Sequence, residues 1–158
     1  MADRLYDTDI LVWSERQADL LRRLAAGERV NEGIDWPNVI EEVRDLGLSE
    51  LRSCKSWISL ACLHLFKLQT APGAADASHW TTEIEAFLTQ LQNHYTPSMR
   101  QRIEVAELYR VARRRFAQGD RDRLRGLPEE GPYRLEDFLS EETTVADLLA
   151  KLSEAERS

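Results

Sequence analysis

Cysteine, proline and glycine are all scarce in this chain of 158 residues, which contains 2, 5 and 7 of them respectively. Two cysteines cannot supply the disulfide framework on which small secreted proteins depend. They are Cys54 and Cys62, eight positions apart in a predicted helix, so about 12 Å separates them along its axis and excludes a disulfide. Both are expected to be reduced, buried thiols, as is typical of a cytoplasmic protein.

Long hydrophobic runs are absent as well. The longest, residues 57–66, is interrupted by Ser59 and His64. It is far shorter than the roughly 20 residues of a membrane-spanning helix. Residues 1–6 contain two charged side chains, and no apolar stretch of the kind found in a secretory signal follows them. We therefore expect neither a membrane span nor a signal peptide, and we expect a cytoplasmic location.

No segment alternates between apolar and polar residues and no internal repeat is present, so neither a sheet nor a repeat architecture is expected. Apolar residues instead recur at helical spacing. Helices are predicted at residues 8–26, 35–46, 49–69, 78–94 and 96–118, followed by a short helix at 135–139 and an amphipathic segment at 144–152. The predicted fold is an all-α, single-domain bundle of about five helices with a C-terminal extended crossing and short helices. Residues 1–140 are predicted to form the bundle and residues 141–158 an amphipathic tail.

Local signals set the positions of these helices. Gly47 predicts a stop or a kink between the second and third helices. Thr96 followed by Pro97 predicts the start of the fifth helix, because proline is tolerated in the first turn. The third helix is apolar all round its cylinder, which predicts a central position. The four tryptophans are expected to anchor one helix each rather than to form a stacking pocket: Trp13, Trp36, Trp57 and Trp80.

Several short motifs occur in a fixed order along the chain. They are Tyr6-Asp7-Thr8-Asp9, Asp35-Trp36, Glu41-Glu42-Val43, Leu46-Gly47, His64-Leu65 and Gly131-Pro132-Tyr133. In this order the chain resembles the bacterial family called domain of unknown function 29, over roughly residues 5 to 140. The resemblance implies an all-helical bundle in a bacterial, cytoplasmic protein, and it implies no activity.

Charged side chains on the second and third predicted helices form the candidate site. Glu42 and Asp45 are three positions apart, so both carboxylates project from one side of their helix. His64 and Lys67 share a side of the third helix by the same rule. If the two helices pack antiparallel around Gly47, the four groups converge. Two carboxylates and an imidazole suit a divalent metal, or an acid and a base with the lysine stabilising negative charge.

The alternative is a network of salt bridges and hydrogen bonds that locks the two helices together. No known metal-binding or nucleophile motif accompanies the four residues. A single histidine on an apolar helix more often donates to a nearby carbonyl or carboxylate than it performs chemistry. The sequence therefore favours the network. The candidate catalytic residues remain Glu42, Asp45, His64 and Lys67, the candidate metal ligands Glu42, Asp45 and His64, and the candidate cofactor a divalent metal.

Positive charge is concentrated in one segment of an otherwise acidic chain. The formal charge of −7 disfavours nucleic-acid binding in general. Residues 110–125 carry seven arginines and two aspartates, a local charge of +5 against −12 for the remainder. Such a strip binds phosphate, or it is a solvated face paired with acidic residues of the same chain or a second copy. The paired face is favoured, because the aromatic residues nearby, Tyr109 and Phe116, are assigned to the core.

Two functional hypotheses follow. The first is a small helical interaction or assembly protein that forms a homodimer or binds a protein partner. Its support is the charge asymmetry, together with the tail segment 144–152, whose apolar face needs a surface on which to dock. The second is a metal-assisted hydrolase or nuclease that uses Glu42, Asp45 and His64, with Lys67 stabilising a developing anion. The sequence favours the first and leaves open whether the protein is an enzyme.

Overall fold

The computed structural model describes residues 4–158 of the chain, which divides into two compact units, unit 1 at residues 1–49 and unit 2 at residues 50–158. Both units are helical, and no strand occurs in the part of the chain that is described. The predicted all-α fold class is confirmed. None of the helices among these residues is long and apolar enough to cross a membrane. The boundary at residue 140 between a bundle and a tail stays a prediction.

Unit 1 is built around contacts between its second helix and the start of its third. It contains α1 (Leu5–Thr8), α2 (Ile10–Ala25), a 3-10 helix (Asn31–Gly33) and the first part of α3 (Trp36–Thr70). Trp13 and Gln17 of α2 are buried. The Trp13 indole N–H donates to the Asp35 carboxylate at 3.1 Å, and the Asp35 backbone N–H donates to the Gln17 side-chain oxygen at 2.8 Å. These bonds fix the segment that leads into α3.

Unit 2 is built around the remainder of α3. After it come α4 (Ala77–His94), a 3-10 helix (Pro97–Arg102), α5 (Val105–Phe116), a further 3-10 helix (Arg121–Leu124), α6 (Leu135–Leu139) and α7 (Val145–Glu156). Six side chains of the predicted α3 stripe are all buried: Leu51, Cys54, Ile58, Cys62, Leu65 and Leu68. They share one hydrophobic cluster with buried side chains of α4 to α7. The predicted central position of this helical segment is confirmed for unit 2.

One continuous helix, α3, replaces the two helices predicted at residues 35–46 and 49–69, so the predicted break at Gly47 is wrong. A glycine that ends a helix usually adopts a positive φ. Three other glycines have a positive φ: Gly27, Gly119 and Gly126. A glycine inside a helix costs only about 1 kcal/mol relative to alanine. The leucines on both sides of Gly47 are good helix formers and continue the helix through it.

The fifth predicted helix also begins differently. Thr96 precedes a 3-10 helix, and α5 begins only at Val105, so the start predicted for the α-helix is wrong. Between the two lies Ile103, whose backbone is extended (φ −110°, ψ 109°). Ile103 and Val105 are both buried. In a helix their side chains would point about 200° apart, so the extended backbone allows the core to enclose both.

The final helix, α7, is part of the core of unit 2. Thr144 caps it, because its side chain accepts from the Asp147 N–H and the Asp147 carboxylate accepts from the Thr144 N–H. The Tyr133 hydroxyl donates to the Leu148 carbonyl at 2.9 Å. Three apolar side chains of α7 are buried in the hydrophobic cluster of unit 2: Val145, Leu148 and Leu152. Unit 2 therefore covers the apolar face of residues 144–152, which was predicted to need a partner.

Both cysteines are free and buried, as predicted. Burial raises the pKa of Cys62 to about 12. Burial, and then the charge of Glu50, raise the pKa of Cys54 as well. Because the thiolate is the reactive form, both thiols are inert at neutral pH.

Candidate functional site

His64 is a buried side chain of α3 whose two ring nitrogens both face acceptor atoms. Its Nδ1 lies 2.9 Å from the Leu60 carbonyl oxygen, and its Nε2 lies 2.6 Å from Oε2 of Glu83 on α4. A carbonyl can only accept, so Nδ1 carries a proton. The other ring nitrogen, Nε2, is within hydrogen-bond distance of the Glu83 carboxyl group. The prediction that His64 donates to a carbonyl or a carboxylate is confirmed.

Further side chains of α3 and α4 surround this pair. The second carboxyl oxygen of Glu83 lies 3.5 Å from Nε2 of His79, whose side chain is largely exposed. Lys67, one turn beyond His64, places its Nζ 5.7 Å from the centre of the Trp80 ring. This is within the range of a cation–π interaction. We call these five residues the α3–α4 site.

The α3–α4 site places a carboxylate between one buried and one exposed imidazole. The two imidazoles contact different oxygens of Glu83. Within residues 4–158, no group of three His, Cys, Asp or Glu side chains has an arrangement that could hold a metal ion. The arrangement is that of a histidine–carboxylate pair that fastens α3 to α4, with a cation held over an aromatic ring beside it.

The predicted site residues Glu42 and Asp45 belong to unit 1, whereas His64 and Lys67 belong to unit 2. Glu42 accepts a hydrogen bond from the Tyr6 hydroxyl at 2.6 Å. That bond is the largest cause of the rise in the Tyr6 pKa to about 12. The break at Gly47 on which the four-residue site was based is absent. The shared site, its metal and the metal-assisted hydrolase or nuclease stay predictions.

Glu83 is the residue that sequence reasoning missed, since the carboxylate expected beside His64 was Glu42. A signal for it exists in α4, where His79 and Glu83 are four positions apart and Trp80 lies three positions before Glu83. This spacing places the three side chains on neighbouring rows of one helix face. The sequence does not state which helices are neighbours, so this face could not be assigned to His64.

Removing the Glu83 carboxylate is expected to destabilise the fold. The substitution Glu83→Ala leaves Nε2 of a buried histidine without its partner, which costs about 1–3 kcal/mol in the free energy of unfolding. Glu85 of the same helix is exposed, so Glu85→Ala is expected to change that free energy by less than about 0.5 kcal/mol. Urea denaturation followed by circular dichroism measures both variants. Equal stabilities would mean that the His64–Glu83 pair contributes nothing to the fold.

Unit 1 presents exposed apolar side chains on the first turns of α3. Trp36 is 37% exposed, Ile40 63%, Val43 71% and Leu46 72%. At 3.6 residues per turn the four lie within an arc of about 120°, and we call them the unit 1 apolar face. Trp36, which was predicted to anchor its helix, is the least exposed of the four, and its indole N–H donates to the Asn31 side-chain oxygen at 3.0 Å. Three consecutive side chains at the start of α2 are exposed as well: Ile10, Leu11 and Val12.

Comparisons with known proteins give a family and a fold. No curated protein matches the chain significantly. A crystal structure from Rhodospirillum rubrum, described as an alpha-helical protein of unknown function, is similar to it with a TM-score of 0.68 and 29% sequence identity. The alignment covers 93% of this chain and 96% of that one. Residues 5–144 match the family described as Domain of unknown function DUF29, so the chain belongs to that family.

Proposed function

We propose that this protein is a helical assembly module that pairs with a second copy of itself through the unit 1 apolar face. The observation that carries the proposal is the exposure of Ile40, Val43 and Leu46 at 63–72% on successive turns of one helix. Removing apolar surface from water stabilises an association by a free energy of about 25 cal/mol per Å². Contiguous apolar surface of this kind is a mark of protein interaction sites.

The spacing of the face favours a second copy as its occupant. Intervals of four and three separate Trp36, Ile40 and Val43, and a further interval of four falls on Gly47, next to Leu46. Alternating intervals of four and three are the pattern of helices that pair side by side. Apart from the adjacent residues and the local helix backbone, no atom of the described residues lies within 4 Å of the place that a Gly47 Cβ would occupy, which leaves room for a side chain of the partner helix. A two-fold axis brings the same surface of both copies together.

We infer that the protein acts in the cytoplasm of a bacterium. Its two cysteines are free thiols, which a reducing compartment preserves. The similar structure from Rhodospirillum rubrum supports the bacterial origin.

Gel filtration coupled to light scattering tests self-association. The wild-type chain is expected at twice its mass of 18.2 kDa. The double variant Val43→Asp, Leu46→Asp is expected at the monomer mass, because burying two unpaired carboxylates in an interface is prohibitive. Ser49→Asp adds the same type of charge to α3 outside the face and is expected to leave the dimer intact.

Two results would contradict the proposal. One is a wild-type chain that stays monomeric up to concentrations of hundreds of micromolar. The other is a dimer that persists in the double variant while circular dichroism shows that the variant is folded. Dissociation by Ser49→Asp to the same extent would show that the effect is one of general charge rather than of the unit 1 apolar face.

A further inference from the structure

A second site lies in unit 2, beside residues 110–125. This segment carries seven arginines, and we call it the arginine run. A cleft of about 480 Å³ opens beside α5. Six charged side chains line it: Arg110, Arg113, Arg114, Arg121, Glu129 and Glu130. Four cations against two anions make this cleft locally positive in a chain of net charge −7, so it attracts anions. We call it the arginine cleft.

Ion pairs account for only part of the arginine run. Three of the seven arginines pair with acidic residues: Arg110 with Glu130 at 3.5 Å, Arg123 with Asp120 at 3.9 Å, and Arg125 with Asp122 at 3.3 Å. The predicted pairing with acidic residues outside the segment 110–125 is confirmed for Arg110. Among the described residues, no carboxylate lies within ion-pair distance of three arginines that line the cleft: Arg113, Arg114 and Arg121.

Arg113 holds a donor for which the described residues supply no acceptor. Its Nη2 donates to the Leu127 carbonyl at 3.4 Å, and its Nε is buried without a hydrogen-bond partner. A buried N–H group without an acceptor is unfavourable.

The opposite wall of the cleft is fixed in place. Tyr109 is fully buried in α5 and its hydroxyl donates to the Pro128 carbonyl at 2.7 Å. That bond ties the segment that carries Glu129 and Glu130 to α5. A site whose walls are held before binding spends less of its interaction energy on ordering them.

We propose that the arginine cleft binds the phosphate ester of a polyhydroxyl compound, such as a sugar phosphate. The planar guanidinium group donates two parallel hydrogen bonds to a phosphate, and the unpaired arginines supply them. Glu129 and Glu130 can accept hydrogen bonds from ligand hydroxyl groups. The volume lies within the roughly 300–1,000 Å³ of small-molecule sites. Nucleic acid fits less well, because no aromatic side chain lines the cleft to stack on a base.

Isothermal titration calorimetry of the full chain tests the proposal with glucose 6-phosphate, inorganic phosphate and glucose. Glucose 6-phosphate is expected to bind more tightly than inorganic phosphate, and glucose alone is expected not to bind. The double variant Arg114→Gln, Arg121→Gln is expected to weaken binding of the sugar phosphate at least about tenfold, because it removes charge-assisted hydrogen bonds. Both side chains are exposed, so the thermal midpoint is expected to stay unchanged.

The matched control is Arg123→Gln, Arg125→Gln, which removes the same charge from two arginines outside the cleft. It is expected to leave the affinity within about twofold of the wild type. Equal weakening in both double variants would reduce the effect to general attraction and overturn the site. Inorganic phosphate binding as tightly as glucose 6-phosphate would overturn the polyhydroxyl ligand. Tighter binding of a single-stranded oligonucleotide than of the sugar phosphate would also overturn it.

Discussion

A chain that ends at Ser140 is expected to lose its cooperative unfolding transition and to bind hydrophobic dyes at neutral pH. The truncation removes α7 and, with it, the buried side chains of Val145, Leu148 and Leu152. A buried leucine reduced to alanine costs about 2–5 kcal/mol. The two leucines together therefore approach the total stability of a typical domain, about 5–15 kcal/mol. Near-ultraviolet circular dichroism during heating, with dye fluorescence, measures the outcome.

Two comparison chains separate loss of the core from loss of chain length. Ending the chain at Glu156 removes only exposed residues and is expected to leave the transition unchanged. Leu148→Ala is expected to keep a cooperative transition with a free energy of unfolding lower by about 2–5 kcal/mol. A native-like, cooperative transition in the chain that ends at Ser140 would mean that α7 does not contribute to the core. The apolar face of residues 144–152 would then need a protein partner to cover it.

Gly131→Ala is expected to destabilise unit 2 by about 1–3 kcal/mol or to prevent its folding. A Cβ on Gly131 would lie 2.6 Å from Cγ of Tyr109. Tyr109 has no room to move, because it is fully buried and its hydroxyl is bonded to the Pro128 carbonyl. The backbone at Gly131 must therefore shift. Its φ is not positive, so the expected effect arises from contact rather than from strained dihedral angles.

The control is the same substitution at Gly73, which also lies in unit 2. Apart from the two adjacent residues, no atom of the described residues lies within 4 Å of its added Cβ, and its φ is not positive. Gly73→Ala is expected to leave the stability unchanged or to raise it by up to about 1 kcal/mol, through the entropy of the unfolded chain. Urea denaturation of the two variants measures the contrast. Similar stabilities would show that Tyr109 yields to the added methyl group and that a glycine is not required before Pro132 and Tyr133.

Helix formation and the buried stripe of α3 could be predicted because both depend on spacing within one segment. The six apolar residues of the α3 stripe, from Leu51 to Leu68, recur at helical intervals, and all six side chains are buried. The residues at which helices begin and end were harder to predict. Glycine permits both a stop and a continuation, and at Gly47 the neighbouring helix formers decide the outcome. At Thr96 the cap-like pattern begins only a 3-10 helix, since the core also has to enclose Ile103.

Partners between helices could not be predicted in the same way. The sequence correctly indicates that His64 is hydrogen-bonded, yet the choice of Glu83 depends on the packing of α3 against α4. The arginine run shows its charge directly in the sequence. Which arginines are paired depends on the path of the segment after α5. That segment places Glu130 3.5 Å from Arg110, whereas no carboxylate of residues 4–158 lies at ion-pair distance from Arg114.

Because both cysteines are buried, their rate of chemical modification reports how fast the core of unit 2 opens. Cys54 and Cys62 are the only thiols in the chain, and neither is accessible while the core of unit 2 is closed. A thiol reagent therefore modifies the native protein only as fast as that core opens, so the modification rate measures opening without an added probe. A cysteine introduced on the surface would be the one thiol that reacts at once. Fluorescent or spin labels can then be placed at single chosen positions with the native cysteines left in place.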